Sequence, residues 1–367
     1  MVSSCQEGDF TVKKRNVCVL FGGVSPEHEV SLRSAESILK NMDPEKYNVF
    51  PVGITKQGEW FLFGSDDYGM LPDGRWEMCE GNRRAMLSPV RGQGLLSFEG
   101  NAVVRERIDV VFPVLHGENG EDGSMQGFLQ IAGLPYVGPG VRASAASMDK
   151  CMTKLVADSI QVRQAAWRRV TAGELEKNAD SVLDAIEQEF AYPVFVKPAG
   201  TGSSVGVSKA NGRAALLNAL NAALSFDETV LVEEFIEGQE VEVGVLGNET
   251  PVASICGEVD SGAEFYDYDA KYISDCAQLY IPARISEASS ERVRETAVQL
   301  YKALGCRGLS RVDFFVKADG EVVFNEINTL PGFTSISMYP KLFGASGIAY
   351  GALIDRLIEL ALEQHHG

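Results

Sequence analysis

The chain has 367 residues, 45% apolar and 23% charged, enough for a sizeable core and about two or three domains. A net charge of −18, with pI near 4.7, argues against nucleic acid or an anionic membrane surface as the main partner. No apolar run is long enough to span a membrane, the opening MVSSCQEGDFTVKKR lacks the apolar core of a signal peptide, and seven scattered cysteines without a CxxC pair suit reduced thiols in a cytoplasm.

Residues 1–15 are expected to be a flexible tail. NVCVLF (16–21) reads as a buried strand running into GGVSPEHEVSLRSAESILKNM, where the glycine pair permits a tight turn and Ser25 or Pro26 opens a helix. GxGxxG is absent, so the glycines are a weak signal of dinucleotide binding. Glu27 and Glu29 in the first helical turn suit the helix dipole; on a sharper reading, Glu27 points into a site at the carboxyl end of the strand.

YNVFPVGI (47–54) and DVVFPVL (109–115) are further strands, the latter nearly all apolar, as in a parallel sheet covered on both faces. Residues 57–105 carry no assignable pattern. The third strand ends in HGENGEDGSMQG, a glycine-rich loop at the usual ligand position of open α/β sheets. His116 heads it, close to Glu121 and Asp122; it is a site candidate or an ordinary structural histidine. VRASAASMDKCMTKLVADSI (141–160) reads as one helix carrying Lys150 and Lys154, with a domain boundary nearby.

PVFVKP, AGTGSSVG and VGVSKA form a strand, a Gly/Ser loop and a second strand. This is no P-loop, but such a loop offers amides and hydroxyls to phosphates, with Lys197 within reach; the alternative is a surface hairpin. TVLVEEFI (229–236) is a strand with an acidic tip, and VEVGVLG follows. Glu233 and Glu240 could accept from an adenine amine and ribose hydroxyls while the backbone of Glu234, Phe235 and Ile236 reads the base edge, or they are simply strand-end acids. Residues 261–284 form a long Tyr-rich loop with Lys271 and Tyr272, either a functional lid or a loop packed by its own aromatics. Residues 289–304 form an amphipathic helix, and residues 355–363 a terminal one.

Between them, VDFFV and EVVFNEI flank Asp319-Gly320, a hairpin signal. A two-residue loop sets Asp313 opposite Glu326 and Arg311 opposite Asn328, all on one face, with Val312, Phe314, Val323 and Ile327 on the other. Opposed carboxylates repel unless a positive group lies between them. Two carboxylates and an amide oxygen suit Mg²⁺; an Arg311–Asp313 ion pair is the alternative.

The order of these features resembles the ATP-grasp superfamily. GGVSPEHEVSL, HGENGEDGSMQG, SMDK, VKPAGTGSSVGVSK, EFIEGQEVE, FYDYDAKY, SRVDFF and NEINTLPGFTSISMYP are together similar to the D-alanine–D-alanine ligases, over about residues 16–363. The resemblance implies an α/β fold of three domains: an N-terminal open parallel, Rossmann-like substrate-binding domain (1–149), a central ATP-grasp subdomain (150–237), and a C-terminal one with metal site and lid (238–367). It implies ATP-dependent ligation of two D-alanines through a D-alanyl phosphate, for peptidoglycan precursors. Lys150 and Lys197 would hold ATP phosphates, with Ser203 and Ser204 in the phosphate loop and Glu233 and Glu240 on adenine and ribose. Asp313, Glu326 and Asn328 would bind two Mg²⁺ (or Mn²⁺). Arg311 and the Gly332 amide would stabilise the oxyanion. Glu27 would hold the ammonium of the first D-alanine, with His116 near its carboxylate, and Ser337 and Lys271 would take the carboxylate of the second. Tyr272, Ser203 and Glu27 would form a hydrogen-bonded triad that closes the lid. K⁺ activation, a homodimer and a cytoplasmic location belong to the same implication. Relatives using D-lactate or D-serine share most of these motifs; Met338 and the lid tyrosine favour D-alanine. A different ATP-grasp carboxylate–amine ligase and a regulatory nucleotide-binding protein are the rival readings.

Overall fold

The computed structural model describes residues 13–202, 204–260 and 278–365. Its described residues form three sheets. The first contains β1 (Arg15–Gly22), β2 (Tyr47–Ile54), β3 (Trp60–Leu62), β4 (Arg83–Leu87), β5 (Leu95–Glu99), β6 (Ala102–Glu106) and β7 (Val110–Val114), in the order β6-β5-β4-β3-β2-β1-β7. Only β2, β1 and β7 run parallel. The stretch that carried no pattern, 57–105, extends that parallel centre by four short antiparallel strands. Their brevity and half-exposed faces leave too little alternation to read.

The parallel centre is buried on both sides. Val17, Val19 and Phe21 of β1, with Val110, Phe112 and Val114 of β7, enter one core; Cys18, Leu20 and Val111 enter another. Helix α1 (His28–Asn41) covers the first core with Leu32, Ala35, Ile38 and Leu39, and α2 (Ser124–Ala132) covers the second with Met125 and Leu129. Each such valine, leucine, isoleucine, phenylalanine or methionine side chain contributes about 1.5–3 kcal/mol when fully buried. Helix α1 begins two residues beyond Pro26, with Glu27 at its N-cap.

Residues 141–160 fold as two helices, not one: α3 (Val141–Met148) and α4 (Lys150–Ser159). The break is at Asp149, whose carboxylate leaves the helical path to accept the amides of Cys151 (2.8 Å) and Met152 (3.1 Å). This is an N-cap, and it re-aims the helix that carries Lys150.

The second sheet comprises β8 (Trp167–Thr171), β9 (Val194–Pro198), β10 (Ser208–Ala210) and β11 (Thr229–Glu234), ordered β10-β9-β11-β8, and packs on α5 (Ala172–Lys177), α6 (Ala179–Glu189) and α7 (Arg213–Ala223). The third comprises β12 (Gln239–Gly247), β13 (Val252–Asp260), β14 (Gln278–Tyr280), β15 (Gly308–Val316) and β16 (Val322–Asn328), ordered β14-β13-β12-β15-β16. Helix α8 (Glu287–Leu304) covers it with Val293, Ala297, Leu300 and Tyr301. After α9 (Met338–Ala345), the last helix, α10 (Tyr350–His365), returns to the first sheet, burying Leu353, Ile354, Leu357 and Ile358 beside Val17 and Phe112. The chain's two ends therefore share one core.

The hairpin β15–β16 reaches the expected pairing by another route. Asp313 does face Glu326, and Arg311 faces Asn328. Near the turn, however, Lys317 donates to Glu321 and Gly320 donates back to Lys317, so the loop has an odd number of residues, 318–320. A bulge at Asn325 restores the register: Phe314 pairs with Phe324 and Val316 with Val322. Phe324, not Val323, therefore joins Val312, Phe314 and Ile327 in the core; Val323 pairs with Phe315.

Candidate active site

A cavity of about 510 Å³ opens between the second and third sheets. Lys150, Lys154, Lys197, Thr201, Gly202 and Ser204 line one side; Glu240, Asn325, Glu326 and Asn328 line the other. Phe195, Phe315 and Ile236 supply apolar wall beside Glu233, Glu234 and Phe235. The cavity is thus a flat apolar slot leading to a row of ammonium groups that face carboxylates.

Helix α4 starts beside the Gly/Ser loop. The Lys150 amide donates to the Ala199 carbonyl at 3.0 Å, and its ammonium reaches the Thr201 carbonyl. Lys197 projects from β9 to Glu233 Oε2 (2.7 Å) and Asn325 Oδ1 (3.2 Å). Asn325 is the bulged residue of β16, so the bulge that restored the register also aims this amide at Lys197. Lys154, one turn after Lys150 on α4, meets Glu233 Oε1 at 2.8 Å.

Glu233 is thus a bridging carboxylate between two lysines, all but sealed from solvent. Burial alone would raise its pKa, but Lys154 and Lys197 together hold it down at about 2. Burial lowers Lys154, with Glu233 acting against it; for Lys197 burial is opposed by the carboxylates of Glu233, Glu326 and Glu240, and the net shift is upward. A carboxylate has about four lone-pair sites, so Glu233 keeps acceptor capacity toward the cavity. Glu234 turns its carboxylate away, accepting from the Ala166 amide (2.8 Å) and pairing with Arg163 (3.2 Å), and its own amide donates to the Ala166 carbonyl (3.0 Å).

On the third sheet, Glu242 pairs with Asp313 across β12–β15, and Asp313 pairs with Glu326 across β15–β16. Three carboxylates therefore lie abreast on adjacent strands. Arg311 grips Asp313 in a two-pronged contact (2.8 and 2.7 Å) and reaches Glu242 Oε2 at 3.1 Å. The Arg311–Asp313 ion pair forms and the opposed acids remain, but the pair is largely buried, at 16% and 12% side-chain exposure, rather than on a solvated face. One guanidinium offsets only part of the charge of Glu242, Asp313 and Glu326, and like charges on neighbouring strands repel. The Asp313, Glu326 and Asn328 oxygens are hard donors, so this set fits Mg²⁺ or Mn²⁺ that completes its shell with phosphate and water.

A third set converges at the cavity mouth from the first sheet. At Gly22 (φ +87°) an added Cβ would lie 2.1 Å from the Ile54 carbonyl, so only glycine turns the chain here. That turn delivers Glu27, whose carboxylate lies against Gly117 of the His116 loop and Gly202 of the Gly/Ser loop; Cβ atoms built there would sit 2.5 and 3.3 Å from it. Glu121 accepts the Gly117 amide at 2.7 Å, and burial, then the Glu27 charge, push its carboxyl up to about 8. His116 has both ring nitrogens engaged: Nδ1 lies 3.0 Å from the Leu330 carbonyl and Nε2 lies 3.3 Å from Ser34 Oγ. Burial lowers its pKa, so the ring is a neutral strut rather than a cation. Gly332 follows in the turn after β16, where an added Cβ would come within 3.0 Å of Ser337 Oγ. Ser337 is the N-cap of α9, with its hydroxyl 2.7 Å from that of Thr334.

Of the sequence-derived candidates, Ser203, Lys271 and Tyr272 lie outside the described residues. Lys150, Lys197, Ser204, Glu233, Glu234, Phe235, Ile236, Glu240, Glu326 and Asn328 line the cavity. Glu27 lies against Gly202 of the lining and Asp313 pairs with Glu326, while His116, Arg311, Gly332 and Ser337 are not among the lining residues. Sequence reasoning left Lys154, Glu242, Asn325 and Ser34 without roles. Lys154 carried a usable signal, since Lys150 and Lys154 are four apart on one helix face. The other three depend on which strands and loops become neighbours.

The family model described as D-ala D-ala ligase N-terminus matches residues 16–139, and that described as D-ala D-ala ligase C-terminus matches 156–359. The chain is 49% identical to the D-alanine–D-alanine ligase of Acetivibrio thermocellus over 96% of its own length and 97% of the relative's. It is 47% identical to D-alanine–D-alanine ligase B of Clostridium tetani over 97% and 96%. Among solved structures, the VanG D-Ala:D-Ser ligase from Enterococcus faecalis superposes with TM-score 0.86 at 36% identity, covering 95% of this chain and 100% of that one. The D-alanine–D-alanine ligase from Coxiella burnetii gives 0.84 at 33%, covering 96% and 95%. With both ligase family models matched and relatives 47–49% identical over nearly its whole length, the chain belongs to the D-alanine–D-alanine ligase family.

Proposed function

We infer that this protein joins two D-alanines to D-alanyl-D-alanine at the expense of ATP, for peptidoglycan precursors. The observation that supports it is the convergence of Lys150, Lys197 and the Gly/Ser loop with Glu326 and Asn328 on one cavity, with Asp313 paired to Glu326 on the next strand and Glu27 against Gly202 of the lining. The γ-phosphoryl group passes to the carboxylate of the first D-alanine and ADP leaves. The amine of the second attacks the acyl phosphate carbon, loses a proton, and phosphate departs as the peptide bond forms.

Lys150, Lys197, Ser203 and Ser204 hold the phosphates. Glu233, Glu240 and the backbone of Glu234, Phe235 and Ile236 take ribose and adenine. Asp313, Glu326 and Asn328 would hold two Mg²⁺ or Mn²⁺, which neutralise charge on the transferring phosphoryl group. Arg311 and the Gly332 amide stabilise the oxyanion. Glu27 takes the ammonium of the first D-alanine beside a neutral His116; Ser337 and Lys271 take the carboxylate of the second. Tyr272, Ser203 and Glu27 close the site against water, which would hydrolyse the acyl phosphate. Residues 1–149, 150–237 and 238–367 act as the substrate-binding, central ATP-grasp and C-terminal ATP-grasp units. K⁺ activation, a homodimer and a cytoplasmic location complete the reading; no helix among the described residues is long and apolar enough to cross a membrane.

D-alanine is favoured as the second substrate. Met338 is buried against Val259 and Leu342, a setting that suits an apolar side chain and not a cation. The test is product identification: protein, ATP, Mg²⁺ and D-alanine, alone and with equimolar D-lactate or D-serine, followed by ADP release and product mass. D-alanyl-D-alanine as the main product of every mixture supports the reading. A mixed product overturns the specificity, and no ADP overturns the activity.

A further inference from the structure

We propose that Ser34 is a positioning residue that holds the Gly332 turn in its reactive orientation, acting through His116. The proposal rests on the reading that the Gly332 amide serves the oxyanion. Ser34 lies on α1 and is fully buried. Its Oγ accepts the Phe333 amide at 3.2 Å and lies 3.3 Å from His116 Nε2. His116 Nδ1 lies 3.0 Å from the Leu330 carbonyl.

The direction of each bond follows from chemistry. A carbonyl oxygen only accepts, so the His116 proton is on Nδ1. A neutral ring then has an acceptor at Nε2, and the Ser34 hydroxyl must donate to it. The Ser34 oxygen keeps a lone pair for the Phe333 amide. The resulting chain runs Phe333 N–H to Ser34 Oγ, Ser34 O–H to His116 Nε2, and His116 Nδ1–H to Leu330 C=O. It has one proton for every link, and both of its ends lie on the same turn.

Those ends flank Pro331 and Gly332. The Phe333 carbonyl also accepts the Tyr350 hydroxyl, and the Phe333 ring meets Phe112 edge-on at 6.3 Å. The residue before Gly332's proline and the residue after Gly332 are therefore both anchored to the first sheet and its helices, and the Gly332 amide is held between them. Ser34 touches both the turn and the histidine. Removing its hydroxyl leaves His116 Nε2 and the Phe333 amide without the partners they have here, in a buried setting where such groups are costly to leave unmet.

The test uses the full-length protein. Nitrogen-15 NMR of labelled histidine, with His116 assigned by His116→Gln, reports the tautomer; steady-state kinetics and binding of a non-hydrolysable ATP analogue report function. Wild type is expected to show His116 protonated on Nδ1 alone. Ser34→Ala is expected to leave the proton on Nδ1, still fixed by the Leu330 carbonyl, to shift the Nε2 resonance as its donor is lost, and to lower kcat about tenfold, short of the about 10²–10³ seen when an oxyanion donor is removed outright. Analogue affinity should stay within about twofold, the split expected of a group that acts on the transition state. Ser34→Cys, similar in shape but a poor hydrogen-bonding group, should fall between the two, and it carries the comparison if the alanine variant does not fold. His116 protonated on Nε2 in wild type, or Ser34→Ala with unchanged kcat, overturns the proposal. So does a loss confined to nucleotide affinity. Wild type that turns over beside an undiminished Ser34→Ala rejects the positioning role alone; wild type that makes no dipeptide rejects the ligase reading and the role with it.

Discussion

Replacing Glu233 with glutamine removes the carboxylate that faces the ammonium groups of both Lys154 and Lys197, at 2.8 and 2.7 Å. Glu233 titrates at about 2 in the folded chain, against an ordinary 4.5. Because the folded value is the lower one, the carboxylate contributes stability that is fully present above pH 4.5 and is lost as pH falls toward 2. At about 1.4 kcal/mol per pH unit, the whole contribution is about 3 kcal/mol. The variant also leaves Lys154 buried without its counter-ion, and breaking one side of a buried pair costs about 3–5 kcal/mol. Glu233→Gln should therefore be about 3 kcal/mol less stable near pH 7, with the gap narrowing by about 2 kcal/mol by pH 3. The assay is urea unfolding of both proteins at a series of pH values, read by hydrogen exchange in peptides from β9 and β11 so that the second sheet is followed by itself. A gap that stays constant between pH 7 and 3, or a variant as stable as wild type, would refute the linkage. Peptides from β1 and β7 serve as the internal control and should not move.

Glu326→Ala should abolish turnover, measured as ADP release, while its melting temperature stays close to wild type, since one of three abreast carboxylates is removed; unchanged turnover would sink the metal assignment. Arg311→Met should lower kcat by about 10²–10³ if the guanidinium stabilises the oxyanion, and a change confined to the ATP KM would contradict that role. Gly22→Ala forces φ +87° and a clash with the Ile54 carbonyl, so it should destabilise the first sheet by at least about 1–3 kcal/mol in a urea titration. Asp149→Ala removes the cap that separates α3 from α4; about 1 kcal/mol of stability and a raised KM for ATP through Lys150 are expected, and an unchanged KM would show that Lys150 is held without the cap, by contacts such as the Ala199 and Thr201 carbonyls.

Local chemistry in the chain determines much of this protein. The alternation of VDFFV and EVVFNEI is enough to put Arg311, Asp313, Glu326 and Asn328 on one face, and the apolar run of β7 is enough to say that the strand is covered on both sides. The glycine pair after β1 and the Lys-bearing strand before AGTGSSVG likewise announce a turn and a strand–loop–strand hairpin. These are properties of neighbours in sequence, set by strand period and turn sterics. Even so, the hairpin count reached the right pairing through an even loop, where the structure has an odd one corrected at Asn325; a bulge leaves no periodic trace because it is a single inserted residue.

Only the tertiary structure decides the contacts between distant segments. Glu242 joins the acid row because β12 lies beside β15, and nothing in QEVEVGV says which strand will be its neighbour. Lys154 meets Glu233 because α4 runs along the edge of the second sheet. Ser34 meets Phe333, 299 residues later, because α10 and the turn after β16 fold back onto the first sheet. Sequence patterns report the period of one element, whereas the burial of charge and the closing of hydrogen-bond chains depend on which elements pack together, and that is decided by the sum of their apolar faces.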